Sequence, residues 1–480
     1  NLGMTQLGRI EYNLHGGICF TDFIDNAGGV NCSDAEVNIK ILLNQLLEKK
    51  QITVDQRKKL LRQMTDEVAE IVLDNNYHQA QAINLMGHQT ARRAFEYARL
   101  MHHLQDVGRL DPQLEYLPSD EELQDRRANQ QSFTPPELAV LTSYVKGGLK
   151  EDLAKSELLD EPYLMREMEV AFPASLIKKY GDELQSHRLR REIVATQIAN
   201  GLVNRMGINF VHRMSESVGV DSAVIAKAYV GARDIFGVDH LWDEIQLLDH
   251  EVEPAIQHEM MLDLIRLLRR TTRWLLRNRR HSLVLENEVP VFQQALQTLF
   301  RRWSDLVRGA VLTEWQADTR RLVDAGVGES LASFVAAAHH LYSVLGIVEA
   351  SNRTGQPSQR AASVYFAVGE YLQLHWFSRQ IHNSQATTLW EALARETLQD
   401  DLNWQQVAIT LGVIAEGSKR ASVDTMITDW IGNHQVLVDR WMSLQADMRA
   451  SAVTDQAIFT VAIRELLDLA QASSSARARF

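Results

Sequence analysis

Apolar residues recur with a helical period of about 3.6 along almost the whole chain, and no alternating strand pattern follows Ile24. That single feature restricts the fold to packed helices. Residues 34–49 set Val37, Ile41, Leu42 and Leu46 along one helical face. Thr53 or Asp55 opens a second helix that closes near residues 74–76, and a third, over 86–105, runs through Ala91, Phe95, Ala98 and Met101. Thr134, Pro135, Pro136 and Glu137 make a strong start signal: a capping threonine, prolines in the first turn and an acid at the positive end of the helix dipole. Further helices are predicted at 161–182, 187–206, 222–235, 253–279, 289–320 and 328–350. Residues 351–358 break the pattern, which resumes over 359–382, 387–398, 403–414, 420–448 and 453–471, and the tail 473–480 reads as frayed. No repeat period is visible.

The exception lies near the start. Residues 21–36 read Thr-Asp-Phe-Ile-Asp-Asn-Ala-Gly-Gly-Val-Asn-Cys-Ser-Asp-Ala-Glu. The apolar run 18–24 reads as a buried strand ending at Asp25 and Asn26, Gly28 and Gly29 as a tight turn, and Ser33 with Glu36 as the opening of a helix. A strand, a glycine turn and a helix start together form the geometry that nucleotide sites use, because a helix N-terminus offers unpaired N–H groups. From spacing, Ser33 and Glu36 form a capping box and Asn26 is a turn residue. In the other reading, a carboxamide at the C-terminal end of a strand holds a cofactor amide, and the Ser33 hydroxyl holds an anion. Both readings of each residue stay open on spacing alone.

The same run resembles the end of the nucleotide-binding domain of glutamate dehydrogenases, whose small hexameric members carry P-D-x-x-A-N-A-G-G-V-x-x-S-x-x-E. Asp22, Asn26, Ala27, Gly28, Gly29, Val30, Ser33 and Glu36 match it. The continuation 36–43 is closer to one branch, the very large bacterial NAD-specific enzymes. Residues 6–12, 84–89, 134–141 and 270–277 also resemble that branch, so motifs extend from residue 1 to about residue 300. Ala27, Gly28, Asn31 and Ala35 depart from that branch's usual N-S-A-G-V-D-C-S-D-H-E.

The resemblance implies the C-terminal part of an enzyme that oxidises L-glutamate to 2-oxoglutarate and ammonium with NAD. It implies Asn26, Gly28 and Gly29 as cofactor-binding residues and Ser33 as the residue that binds the substrate carboxylate. It also implies an all-α array with a short β/turn remnant of a Rossmann-type domain at the N-terminus. Residues 1–110 would end the nucleotide-binding domain, and 111–480 would form a helical C-terminal domain with a sub-boundary near 351–358. In the superfamily the substrate-polarising lysine, the catalytic aspartate and the glycine fingerprint lie upstream of the Asn-Ala-Gly-Gly-Val segment. No catalytic residue is therefore expected here, and the chain by itself should be silent. Its first residue, Asn1, fits an excised interior fragment. The other reading is a helical oligomerisation or regulatory module with no ligand site.

Bulk properties agree with a globular protein. At 480 residues, two or three domains are expected. The net charge of −12 argues against nucleic acid or an anionic membrane as partner, and no apolar run or signal peptide marks a membrane protein. Two cysteines, Cys19 and Cys32, without a C-x-x-C pair suit a reducing, cytoplasmic compartment. A homo-oligomer is expected. No metal site is read: Leu262 replaces the second histidine after His258-Glu259, and the adjacent pairs His102-His103 and His339-His340 point about 100° apart on a helix. Gly326-Val327-Gly328 lacks a third glycine. Arg266, Arg269, Arg270, Arg273, Arg277 and Arg280 share one side of a helix, as a solvated or salt-bridged face or as a docking surface for an acidic neighbour.

Overall fold

The computed structural model describes residues 3–280, 282–384, 388–451 and 456–475. Asn1 and the last five residues of the expected frayed tail, 476–480, lie outside them; the final helix, Gln456–Ser475, carries the tail's beginning. The described residues form α- and 3₁₀-helices joined by turns, with no strand among them. No single described helix is long and apolar enough to cross a membrane.

The all-α class holds, and the β remnant does not. The run 18–24 contributes no strand: Ile18 is 83% exposed, and residues 22–25 make a short helix, Asp22–Asp25. A lone extended segment would leave its backbone groups unpaired, since a strand needs a neighbour. The local alternative satisfies them. The Thr21 carbonyl accepts the amides of Ile24 and Asp25, and buried Arg9 pairs with Asp22 at 3.2 Å. Thr21, Ile24 and Ala27, three residues apart, are the ones that point inward. Gly28 and Gly29 then belong to the first turn of Ala27–Glu48 and not to a tight turn. That helix buries Ala35, Ile39, Leu42, Leu43 and Leu46; the apolar face is rotated from the expected one, so Val37 faces out.

The chain divides into two compact units. The first comprises Asn1–Val230 and Thr272–Leu283. In it Ala27–Glu48 packs on Thr65–Gly87, which also meets Pro135–Lys155 and Arg190–Met206. Capping boxes at Thr53/Gln56, Ser119/Glu122 and Thr134/Glu137 fix three helix starts. The predicted helix over 161–182 is interrupted, because Pro162 and Pro173 each begin a new element: the 3₁₀ stretch Pro162–Ala171, then Ala174–Tyr180.

The second unit comprises Gly231–Thr271 and Val284–Phe480. Leu389–Glu416 lies against Gln456–Ser475 so closely that a Cβ on Gly412 would come within 2.4 Å of the Ser473 Cβ. Phe377 sits edge-on to both Trp441 and Phe459. The expected helix at 328–350 is a pair, Glu329–Leu341 and Ser343–Thr354, bent by 63°. Gly355, at φ 63°, ends the second member where the break at 351–358 was read.

This unit also holds a histidine cluster. His375 Nε2 lies 2.6 Å from Glu314, His339 Nε2 lies 3.2 Å from Asp263, and the His340 and His375 rings are 5.2 Å apart. Desolvation, then His375, His339 and Arg270, push His340 well below the ordinary imidazole value. Desolvation, then Arg266, His339, Arg395 and Arg269, bring His382 down to about 4. Both groups bind protons more weakly folded than unfolded. Their stabilising effect is therefore complete above about pH 6.5 and is lost as the pH falls towards 4. Thermal melting should drop across that window, and His340→Gln should flatten the drop; an unchanged pH profile in that variant would contradict the assignment.

Candidate functional site

The residues expected to bind ligand all fall on the start of the Ala27–Glu48 helix. Asn26 joins the two helices at φ −106° and ψ 22°, outside the left-handed region. Its carbonyl accepts the Gly29 amide at 3.2 Å, and its carboxamide makes no capping bond. A Cβ on Gly29 would approach the Asn26 Oδ1 at 3.3 Å, and one on Gly28 would meet Val72 at an ordinary 3.6 Å. Neither glycine has positive φ.

Ser33 is not a helix cap. It lies in the second turn, and its hydroxyl donates to the Gly29 carbonyl at 3.3 Å. That is the back-bonding pattern of an interior helical serine. Glu36 does not fold back either: it pairs with Lys40 one turn on, and the hydrogen bond from Lys40 holds its carboxyl below the usual value. The capping box read from the spacing is therefore absent, and the helix starts six residues earlier than Ser33.

At 100° per residue, Asn26, Val30, Ser33 and Val37 fall within an arc of about 60°. All four are exposed. The buried face of the same helix points the other way, so the carboxamide and the hydroxyl stand on one open face, flanked by two valines. Such a face can donate and accept hydrogen bonds with an amide or a carboxylate, next to a helix N-terminus whose dipole favours anions. It offers no general base and no enclosure of its own. The residues present are compatible with one wall of an NAD site: the Asn26 carboxamide makes no capping bond, and Gly29 beside it adds no side chain, whereas Gly28 is turned towards Val72.

Other clusters are satisfied within the fold. His103 stacks on His212 at 4.5 Å, and Glu259 pairs with Arg321. Among the described residues no group of three or more His, Cys, Asp or Glu is placed to hold a metal ion. Cys19 and Cys32 are free thiols. The arginine side is used internally: Arg273 is buried, the Arg270 guanidinium lies 3.4 Å over the Tyr342 ring, and Arg266 pairs with Asp263. Sequence reading missed a cavity of about 700 Å³ in the first unit, lined by Asp152, Lys155, Glu161, Asp221, Lys227 and Arg280. Its charges are largely paired, Lys227 with Glu161 at 2.6 Å and Asp152 with Arg109 at 2.5 Å. The lining residues come from segments far apart in sequence, so no local pattern announces it.

Comparison with known proteins accords with the motif reading. The family "Bacterial NAD-glutamate dehydrogenase, catalytic domain" matches residues 1–86, and "Glutamate dehydrogenase, C-terminal" matches residues 130–468. An NAD-specific glutamate dehydrogenase of Pseudomonas aeruginosa is 50% identical over 98% of this chain. The proteins of that name from Halomonas elongata and Mycobacterium tuberculosis are 44% and 34% identical, over 99% and 98% of the chain. The chain spans 29% of the length of each of these relatives. With most of its length matched by the C-terminal family, the chain belongs to the glutamate dehydrogenase C-terminal family.

Proposed function

We propose that this chain is the C-terminal portion of an NAD-specific glutamate dehydrogenase that converts L-glutamate, NAD and water into 2-oxoglutarate, ammonium and NADH. The observation that carries this reading is the 50% identity to the Pseudomonas aeruginosa enzyme over 98% of the chain. In that enzyme NAD supplies the hydride acceptor, and the protein orients it. Asn26 would hold the cofactor amide, Gly28 and Gly29 would leave room for its approach, and the single Ser33 hydroxyl hydrogen would turn from the Gly29 carbonyl to donate to the glutamate α-carboxylate. The exposure of Asn26 and Ser33 on one helix face supports their roles, because a wall of a shared site must stay open to the rest of that site.

Residues 1–110 would close the nucleotide-binding domain and residues 111–480 would form the helical C-terminal domain, with a sub-boundary near 351–358. The helical region would brace that domain and help to build a homo-oligomer in the cytoplasm. The test is a steady-state assay of NADH formation from L-glutamate. The complete polypeptide should turn over and the 480-residue chain alone should not. A complete polypeptide inert towards glutamate and NAD, or turnover by this chain alone, would remove the reading.

A further inference from the structure

Val30 and Val37 are 65% and 51% exposed on a helix that is well packed on its other side. Nothing local accounts for them. β-Branched residues are mediocre helix formers, and an outward helical face ordinarily carries charged or polar residues. Ile18 and Phe23, just before the helix, are also exposed, at 83% and 45%. Val30 lies one turn after Asn26 and one turn before Ser33, and Val37 lies one turn beyond Ser33, so apolar surface and candidate ligand groups alternate along one face. Glu36 and Lys40, on the same helix, pair with each other.

We infer that Val30 and Val37 are the seat on which the remaining part of the same polypeptide's catalytic domain packs through an apolar surface, and that this packing closes the site over Asn26 and Ser33. The inference rests on the reading of the chain as part of an NAD-specific glutamate dehydrogenase. Two findings select this occupant over a second copy of the chain. The face lies inside the stretch matched by the catalytic-domain family, 1–86, and the chain makes up only 29% of the relatives' length. A face that carries both binding groups and bare valines is shaped like an interface rim around a shared site.

Hydroxyl-radical footprinting of the complete polypeptide, without ligands, tests the packing directly. Val30 and Val37 should be oxidised several-fold more slowly than in the 480-residue chain alone. Equal oxidation in the two would overturn the inference. Protection that appears only as protein concentration rises would assign the face to a second copy and overturn it equally. In the complete enzyme, the double variant Val30→Lys/Val37→Lys should lose at least about tenfold in kcat/KM for glutamate while the isolated chain melts unchanged. Full activity in that variant would also overturn it. The arms separate the two readings: protected valines with glutamate kinetics indifferent to Ser33→Ala would remove the ligand role and keep the packing. Unprotected valines with a Ser33→Ala effect would do the reverse.

Discussion

Glu137→Ala should cost the first unit about 3–5 kcal/mol, the loss expected when one partner of a buried ion pair is removed. Glu137 is fully buried at the start of Pro135–Lys155. Its carboxylate accepts two parallel bonds from Arg126, at 2.8 and 2.9 Å, and two more from the Thr134 amide and hydroxyl, at 2.7 and 2.8 Å. The geometry is bidentate, the strong form of such a pair. Alanine would strand the Arg126 guanidinium, whose side chain is only 13% exposed, and would leave the Thr134 amide without its acceptor. Glu137→Gln keeps an acceptor and should cost less. Arg126→Met/Glu137→Met, which removes both charges, should cost less than Glu137→Ala. Urea unfolding of the three variants checks this order. A Glu137→Ala midpoint close to wild type would show that the network does not hold this helix start.

That same start shows what was legible in the sequence. Threonine, two prolines and a glutamate at fixed spacing specify their own local bonds, and the helix begins where the motif placed it. Gly355 ends its helix within the break read at 351–358, for an equally local reason. The errors arose where tertiary contacts decide. The run 18–24 suits a strand, but here only Thr21 and Ile24 found a core, and the Arg9–Asp22 pair holds a helical turn in its place. The long pattern at 289–320 is cut twice, between Leu285–Phe300 and Trp303–Leu306 and again before Gly309–Asp324, where Gly309 takes φ 55°. An apolar period can continue through such bends, because the residues on either side still face a core.

The candidate site was legible in its residue types and not in its geometry. The S-x-x-E spacing suits a capping box wherever a helix begins at the serine. Here Ala27, Gly28 and Gly29 were wound into the helix, so the box had no free amides to close on. Spacing cannot decide that; the buried contacts of Ile24 and Ala27 do. The result clarifies the role of Ser33. As a cap its loss would have cost about 0.5–2 kcal/mol. As an exposed interior residue bonded to the Gly29 carbonyl, it adds little to the fold.

Stability and binding are thereby separated at this position, which makes Ser33→Ala the most direct measurement of whether this helix face holds glutamate. Alanine is the better helix former, so the variant should melt no lower than wild type. If the hydroxyl donates to the glutamate carboxylate in the complete enzyme, a bond to a charged group worth roughly 1.5–3 kcal/mol is lost. The glutamate KM should then rise on the order of tenfold or more, with the KM for NAD little changed. Replacement of Asn26 should show the opposite bias. A Ser33→Ala enzyme with wild-type glutamate kinetics would contradict a substrate-binding role and leave Ser33 as an ordinary residue on the outer face of a helix.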